Sequence, residues 1–208
     1  MTPYCNDCIF KNMLIYFNNI MTPYCTDCTV KNMLMYNGIN LQKHSNDVKE
    51  ALIIVCSLYQ NKYLALSILN LPGIDYNYVD IQNNTALIYA CIKHLEDVAL
   101  RLLKFDDINY NHKNNLEYTA LSLACKYDLE KVALKLLEKN MINVNQINIS
   151  SNTPLLYSCF NESENVALKL LDFDNINYNH KDLDGDTALT IACKTKKNKV
   201  ALKLLEKK

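Results

Sequence analysis

The chain has 208 residues, of which 50% are hydrophobic and 21% charged, with 22 Lys+Arg balanced by 22 Asp+Glu. This composition is that of a globular protein, which argues against wholesale disorder. Zero net charge excludes a protein whose whole surface grips phosphate backbones or anionic membranes, leaving only a local basic patch open.

The chain opens on a tandem duplicate, MTPYCNDCIFKNMLIY in residues 1–20 against MTPYCTDCTVKNMLMY in residues 21–40. It lacks the basic region and apolar run of a secretory signal. With nine cysteines and no export signal, the expected setting is intracellular and reducing, with free thiols rather than disulfides. The duplication creates Cys5-x-x-Cys8 and Cys25-x-x-Cys28, sixteen residues apart, a spacing that suits four thiolates around a structural zinc ion. A copied CxxC, however, makes a second pair at whatever distance the block dictates. Met21 could also be the natural start, and the glycines of a zinc ribbon are missing. A non-metal N-terminal segment is therefore the simpler reading, and a redox pair has no βαβ pattern around it. Zinc on Cys5, Cys8, Cys25 and Cys28 is the sole cofactor candidate.

Residues 45–208 form a repeat. Thr85-Ala86-Leu87 returns at Thr119, Thr153 and Thr187, and Val98-Ala99-Leu100 returns at Val132, Val166 and Val200, each step 34 residues. Cys91, Cys125, Cys159 and Cys193 keep the same step. A weaker copy precedes them, ALIIVC at 51–56 and LALSIL at 64–69, with a one-residue slip between its two blocks. This gives about five units, near 45–76, 77–110, 111–144, 145–178 and 179–208.

Each unit predicts two short helices. Thr is a good N-cap for the first, and Pro154 sits at a first helical position, where its missing N–H costs nothing. The second, such as 130–139, puts Val132, Ala133, Leu136 and Leu137 on one stripe and Lys131, Lys135, Glu138 and Lys139 on the other. The segments between units, such as 174–185, are rich in Asn, Asp and Gly and predict an extended turn or hairpin. Neither helix can bury its stripe alone, whereas stacked units bury it continuously. No stretch approaches the roughly 18 apolar residues of a membrane span.

The unit T-[AP]-L-x-x-[AS]-C, then V-A-L-x-L-L, then I-N-x-N resembles the ankyrin repeat, best in the last unit through Asp182, Gly185, Thr187, Ala188, Leu189, Ala192 and Cys193. The likeness covers about four-fifths of the chain. Its Asn-rich character is similar to the ankyrin-repeat proteins of large DNA viruses. The tetratricopeptide repeat shares the period of 34, but its Trp, Gly-Tyr and Pro signposts are absent and its inter-helix segments are too short to hold a hairpin. The resemblance implies an all-α solenoid of about five helix-turn-helix units with inter-repeat hairpin loops.

Departures from the family pattern are informative. The His after Leu is replaced by Ile88, Ser122, Leu156 and Thr190, which predicts that the hydrogen bonds it makes are lost. The glycine between helices aligns with His94, Asp128, Ser163 or Lys197, and the hairpin glycine with Asn83, Glu117, Ser151 and Gly185. The extra residue relative to the family period of 33 falls after the second helix. Altered hairpins and lower stability than a consensus array are expected.

The resemblance also implies a non-enzymatic protein-interaction module that binds a partner through a concave face of hairpin tips and first helices. The contact positions would be Tyr78, Asp80, Gln82, His112, Asn114, Glu117, Asn148, Ser150, His180, Asp182 and Asp184, with Tyr89, Leu123, Tyr157 and Ile191 on the helix face. The expected partner is an unidentified protein, such as a host factor, with no nucleic acid and no membrane. The alternative is a zinc-dependent adaptor whose N-terminal cysteines recruit a second factor such as ubiquitin-ligase machinery.

Several residues have plainer expectations. The repeat cysteines, Cys56 included, are expected to be buried. His112 and His180, two units apart, are expected to bond locally. Tyr78, Tyr110 and Tyr178 at the tips either anchor a partner or brace neighbouring hairpins. Three scattered glycines leave no phosphate-cradling loop. The last VALKLL keeps an interior pattern rather than a polar cap, which predicts truncation, dimerisation or a marginal cap there.

Overall fold

In the computed structural model, the described residues are Leu34, 50–71 and 73–207. Ten α-helices follow in chain order: α1 (Ala51–Ile54), α2 (Lys62–Ile68), α3 (Ala86–Ile92), α4 (Glu96–Leu102), α5 (Ala120–Lys126), α6 (Glu130–Leu137), α7 (Pro154–Phe160), α8 (Glu164–Leu170), α9 (Ala188–Lys194) and α10 (Asn198–Glu206). There is no strand among the described residues. Odd-numbered helices stack on one another in one layer and even-numbered helices in a second, and from α3 on each helix also packs on its partner within the pair. Such short helices would be marginal alone in water, so packing rather than propensity holds them.

Caps and turns punctuate the array as the sequence predicts. The hydroxyls of Thr85, Thr119, Thr153 and Thr187 accept from the backbone N–H three residues on, at 3.2 to 3.3 Å. One expectation is corrected here. Where the family histidine is replaced by Ser122 or Thr190, its bonds are not simply lost. Each hydroxyl accepts from the N–H of its capping threonine, at 2.9 and 2.8 Å, closing a reciprocal capping box. Ile88 and Leu156 instead add buried apolar surface.

The slip in the first unit has a physical cause. One more residue separates Cys56 from Leu64 than separates Cys91 from Val98, and there the helix runs on from α1 as a π-helical turn over Val55–Tyr59. A π-turn absorbs one inserted residue within a helix. The turn between paired helices then places Gln60, His94, Asp128 and Lys196 in the left-handed region, φ 49° to 59°. This corrects two assignments: Lys197 and Ser163 precede α10 and α8 at φ −81° and −72°. The fourth unit has no left-handed residue there. Its Asn161 is extended, and the amide donates to the Cys125 and Lys126 carbonyls at 2.6 and 2.7 Å.

The inter-unit segments close as tight turns. In each, the N–H of the fourth residue donates to the C=O of the first, as in Asn83 to Asp80 at 2.9 Å and Glu117 to Asn114 at 2.9 Å. That fourth residue is left-handed in all four turns: Asn83, Glu117, Ser151 and Gly185. Between turns, Asn77, Asn111 and Asn145 form a ladder. Each side chain accepts from the N–H of residue 109, 143 or 177 of the next unit and donates to the C=O of residue 107, 141 or 175, all at 2.7 to 2.9 Å.

Met141 is the misfit, with φ 60° and 90% exposure, whereas Asp107 and Asn175 at the same register are not left-handed. Its side chain packs little, and a Cβ in this conformation is sterically costly. Met141→Gly is expected to stabilise the chain by about 1 kcal/mol, read as a higher urea midpoint at unchanged m-value. A lower midpoint would mean that the methionine contributes more than its backbone strain costs.

Candidate functional site

One long edge of the array carries the turn tips and the exposed sides of the first helices. The first residue of each turn is Asp80, Asn114, Asn148 or Asp182. In every unit its Oδ1 accepts from the N–H groups two and four residues on, at 2.8 to 3.0 Å. These four are therefore turn-closing residues, and Asn114 and Asn148 are buried. The choice of Asp or Asn follows the second polar atom. Asp80 Oδ2 accepts from the Tyr89 hydroxyl at 2.7 Å. Asn148 Nδ2 donates to the Tyr157 hydroxyl at 2.7 Å, and Asn114 Nδ2 donates to Asn84 Oδ1 at 2.9 Å.

Other expected contact residues separate into spent and available. Leu123 and Ile191 are 2% and 0% exposed, so they belong to the core and not to the helix surface. His112 and His180 bond locally as expected. Each Nε2–H donates to the C=O of the left-handed residue of the preceding turn, Asn83 at 3.0 Å and Ser151 at 2.9 Å. Glu117 pairs with Lys113 and accepts from Gln146. Two of the tip tyrosines brace neighbouring units: Tyr78 donates to Glu50 at 2.8 Å and Tyr110 to the Asn140 carbonyl, while Tyr178 lines a surface hollow with Leu189 and Leu204. Gln82 and Asp184 are exposed, and Ser150 is half-buried beside Tyr118.

Two sets of residues on this edge escaped the sequence reading. The first is aliphatic: Ile81, Leu116, Ile149 and Leu183 are exposed at successive turn tips. Their signal was the isolated apolar residue inside each polar loop. The second is a cluster around Lys126. Its Nζ donates to the Tyr118 hydroxyl at 2.9 Å and lies 4.7, 5.5 and 5.8 Å from the ring centres of Tyr118, Tyr127 and Tyr157. The Tyr118 and Tyr157 hydroxyls are 3.2 Å apart. Burial pushes the Tyr118 phenol up, but the bonds from Lys126 and Tyr157 outweigh it and leave the group below its ordinary value. The Tyr157 phenol is raised, by burial first and by Tyr118 second. The signal here was variation at fixed register. Asn84, Tyr118, Asn152 and Asp186 share one position, and Ile92, Lys126, Phe160 and Lys194 share another.

The repeat cysteines divide. Cys56, Cys91, Cys125 and Cys159 are buried, and burial pushes each thiol up to about 12, a poor state for a nucleophile or ligand. Cys193 departs from the expectation of burial and is exposed, because its face of α9 has no following unit among the described residues. Iodoacetamide is expected to label Cys193 in the folded protein and the other four only after unfolding, as read by peptide mass mapping. Early labelling of Cys125 would show that the stack opens at its centre. No group of three or more metal-binding side chains converges among the described residues. Cys5, Cys8, Cys25 and Cys28 lie outside those residues, as does the 1–40 segment apart from Leu34. No described helix is long and apolar enough to cross a membrane.

Residues 52–148 match the family model of ankyrin repeats, in three copies. No curated protein matches the sequence. Ankyrin repeats generally mediate protein–protein interaction and typically carry no enzymatic activity. The same 34-residue step continues through α7 to α10, and the all-helical stack of the described residues is consistent with an ankyrin-repeat solenoid.

Proposed function

We propose that this chain is a non-enzymatic module that docks a partner protein along the edge formed by its turn tips and first helices. The observation that carries this reading is the row of aliphatic side chains at four successive tips, Ile81, Leu116, Ile149 and Leu183, 49% to 90% exposed on turns held by their own Asx bonds. Exposed apolar groups recurring in four successive turns, at the second turn position in three and the third in the other, support an interaction surface along this edge. The frame is ordered before binding, so little entropy is lost on docking. A host factor as the partner and an intracellular setting belong to the same proposal.

The test replaces all four tip residues with serine in the full chain. Each is exposed, so folding should change by no more than about 0.5 kcal/mol per site. Partner proteins captured by the unaltered chain should be lost with the variant, while its helical circular dichroism and unfolding midpoint stay put. Capture that survives the four substitutions would move the binding surface elsewhere. The spacing of Cys5, Cys8, Cys25 and Cys28 supports a second reading, a zinc-dependent adaptor; about one zinc ion per purified chain, measured by elemental analysis, would favour it.

A further inference from the structure

We propose that the Lys126 cluster is a receptor for an acidic side chain of the partner protein, with Phe160 as the adjoining apolar seat. The proposal rests on the docking edge described above and identifies the chemistry recognised at its centre.

The same two register positions recur with opposite outcomes two units apart. In the last unit they hold Asp186 and Lys194, whose Nζ is 2.5 Å from the carboxylate, so the charge is neutralised internally. In the third unit they hold Tyr118 and Lys126, at 2.9 Å, and the acceptor is a neutral phenol. None of the ion pairs among the described residues uses Lys126. Lys126 is half-buried, its Nζ lies over three ring faces, and two N–H donors remain beyond the bond to Tyr118.

Its surroundings are rich in donors. Asn148 donates to Tyr157, the reverse of the Tyr89 to Asp80 bond in the second unit, so the Tyr157 oxygen already has a donor. The two phenols then have two O–H groups but only one bond between them; the Ser150 hydroxyl also bonds Tyr118, so three O–H groups share two bonds and one O–H donor is left over. One cation with N–H donors to spare, a surplus O–H donor and no carboxylate paired with the lysine among the described residues call for an anionic acceptor from outside.

The site also has an apolar neighbour. Phe160 occupies the Lys126 position one unit on and is 48% exposed. Stacked helices lie about 10 Å apart, a distance spanned by about three residues of polyproline II chain, whose side chains return to one face every third residue. The fitting ligand is therefore an extended segment with Glu or Asp followed at about the third residue by an apolar side chain.

The full chain, labelled with nitrogen-15, would be titrated with the blocked peptide Gly-Glu-Ala-Ala-Phe-Gly and with its Gln and phosphoserine counterparts. The Glu peptide should cause saturable shifts at the amides of Tyr118, Lys126 and Tyr157 at millimolar concentrations. The Gln peptide should bind about tenfold more weakly. Lys126→Gln should remove the preference for Glu, and Lys126→Arg should restore it. Equal binding of the Glu and Gln peptides, absence of saturable shifts, or an unchanged preference in Lys126→Gln would each overturn the proposal. So would binding of the phosphoserine peptide alone, which would indicate a phosphopeptide site. Shifts confined to the turn tips would overturn this inference while leaving the docking edge standing.

Discussion

Leu171→Ala is expected to destabilise the array by about 3 kcal/mol, whereas Leu205→Ala, at the same register in the next unit, should cost less than about 1 kcal/mol. Leu103, Leu137, Leu171 and Leu205 are each 34 residues apart, and they are 1%, 5%, 0% and 51% exposed. The first three are covered by the following helix pair; the last faces a surface that no described residue covers. Removing Leu171 strips buried methyl groups from contact with neighbours on both sides and leaves a cavity, so transfer and cavity terms add. Removing Leu205 sacrifices only half-covered surface. Urea unfolding of both variants measures the difference. A loss at Leu205 as large as at Leu171 would show that its face is covered in solution, by a second copy or by another segment, and the mass by light scattering at several concentrations would distinguish these.

The fold was legible because a repeat states its pattern several times. Thr at four helix starts, the Val-Ala-Leu block at four second helices and a left-handed position in four turns each reinforce one reading. What the pattern hid lay where units differ or where an atom has two uses. Asn114 and Asn148 looked like exposed loop residues because Asn is common in solvated turns, yet burial turned them inward and their side chains hold the turn. Leu123 and Ile191 share the register of Tyr89 and Tyr157, but an aliphatic group there folds down into the stack while a phenol reaches out to a polar partner. Ser122 and Thr190 read as losses only while the histidine they replace was taken as the sole group able to bond that turn. The Lys126 cluster was invisible to periodicity, since Tyr118 and Lys126 are what makes the third unit unlike the others.

The second large effect is expected at Asn114. Asn114→Ala should cost about 3 kcal/mol, as much as a core leucine, although the residue sits in a polar loop. Its Oδ1 accepts from Leu116 N and Tyr118 N at 3.0 Å each, and its Nδ2 donates to Asn84 Oδ1 at 2.9 Å. Tyr118 and Asn84 are buried, so alanine leaves a backbone N–H and a side-chain oxygen without partners and without easy access to water. The bond to Asn84 also joins the turn of one unit to that of the next, so its loss should loosen the coupling between units, seen as a lower m-value as unfolding becomes less cooperative. Asn114→Asp separates this account from a simple loss of packing. The carboxylate keeps both acceptor bonds of the turn, and the Asn84 amide can rotate to present its NH2 to the new oxygen. It should therefore cost less than half as much as alanine, in keeping with Asp80 and Asp182, which close their own turns with a carboxylate. If aspartate and alanine were equally damaging, the side chain would be acting through its amide donor alone, and the turn-closing bonds common to all four units would not be what holds the tips in place.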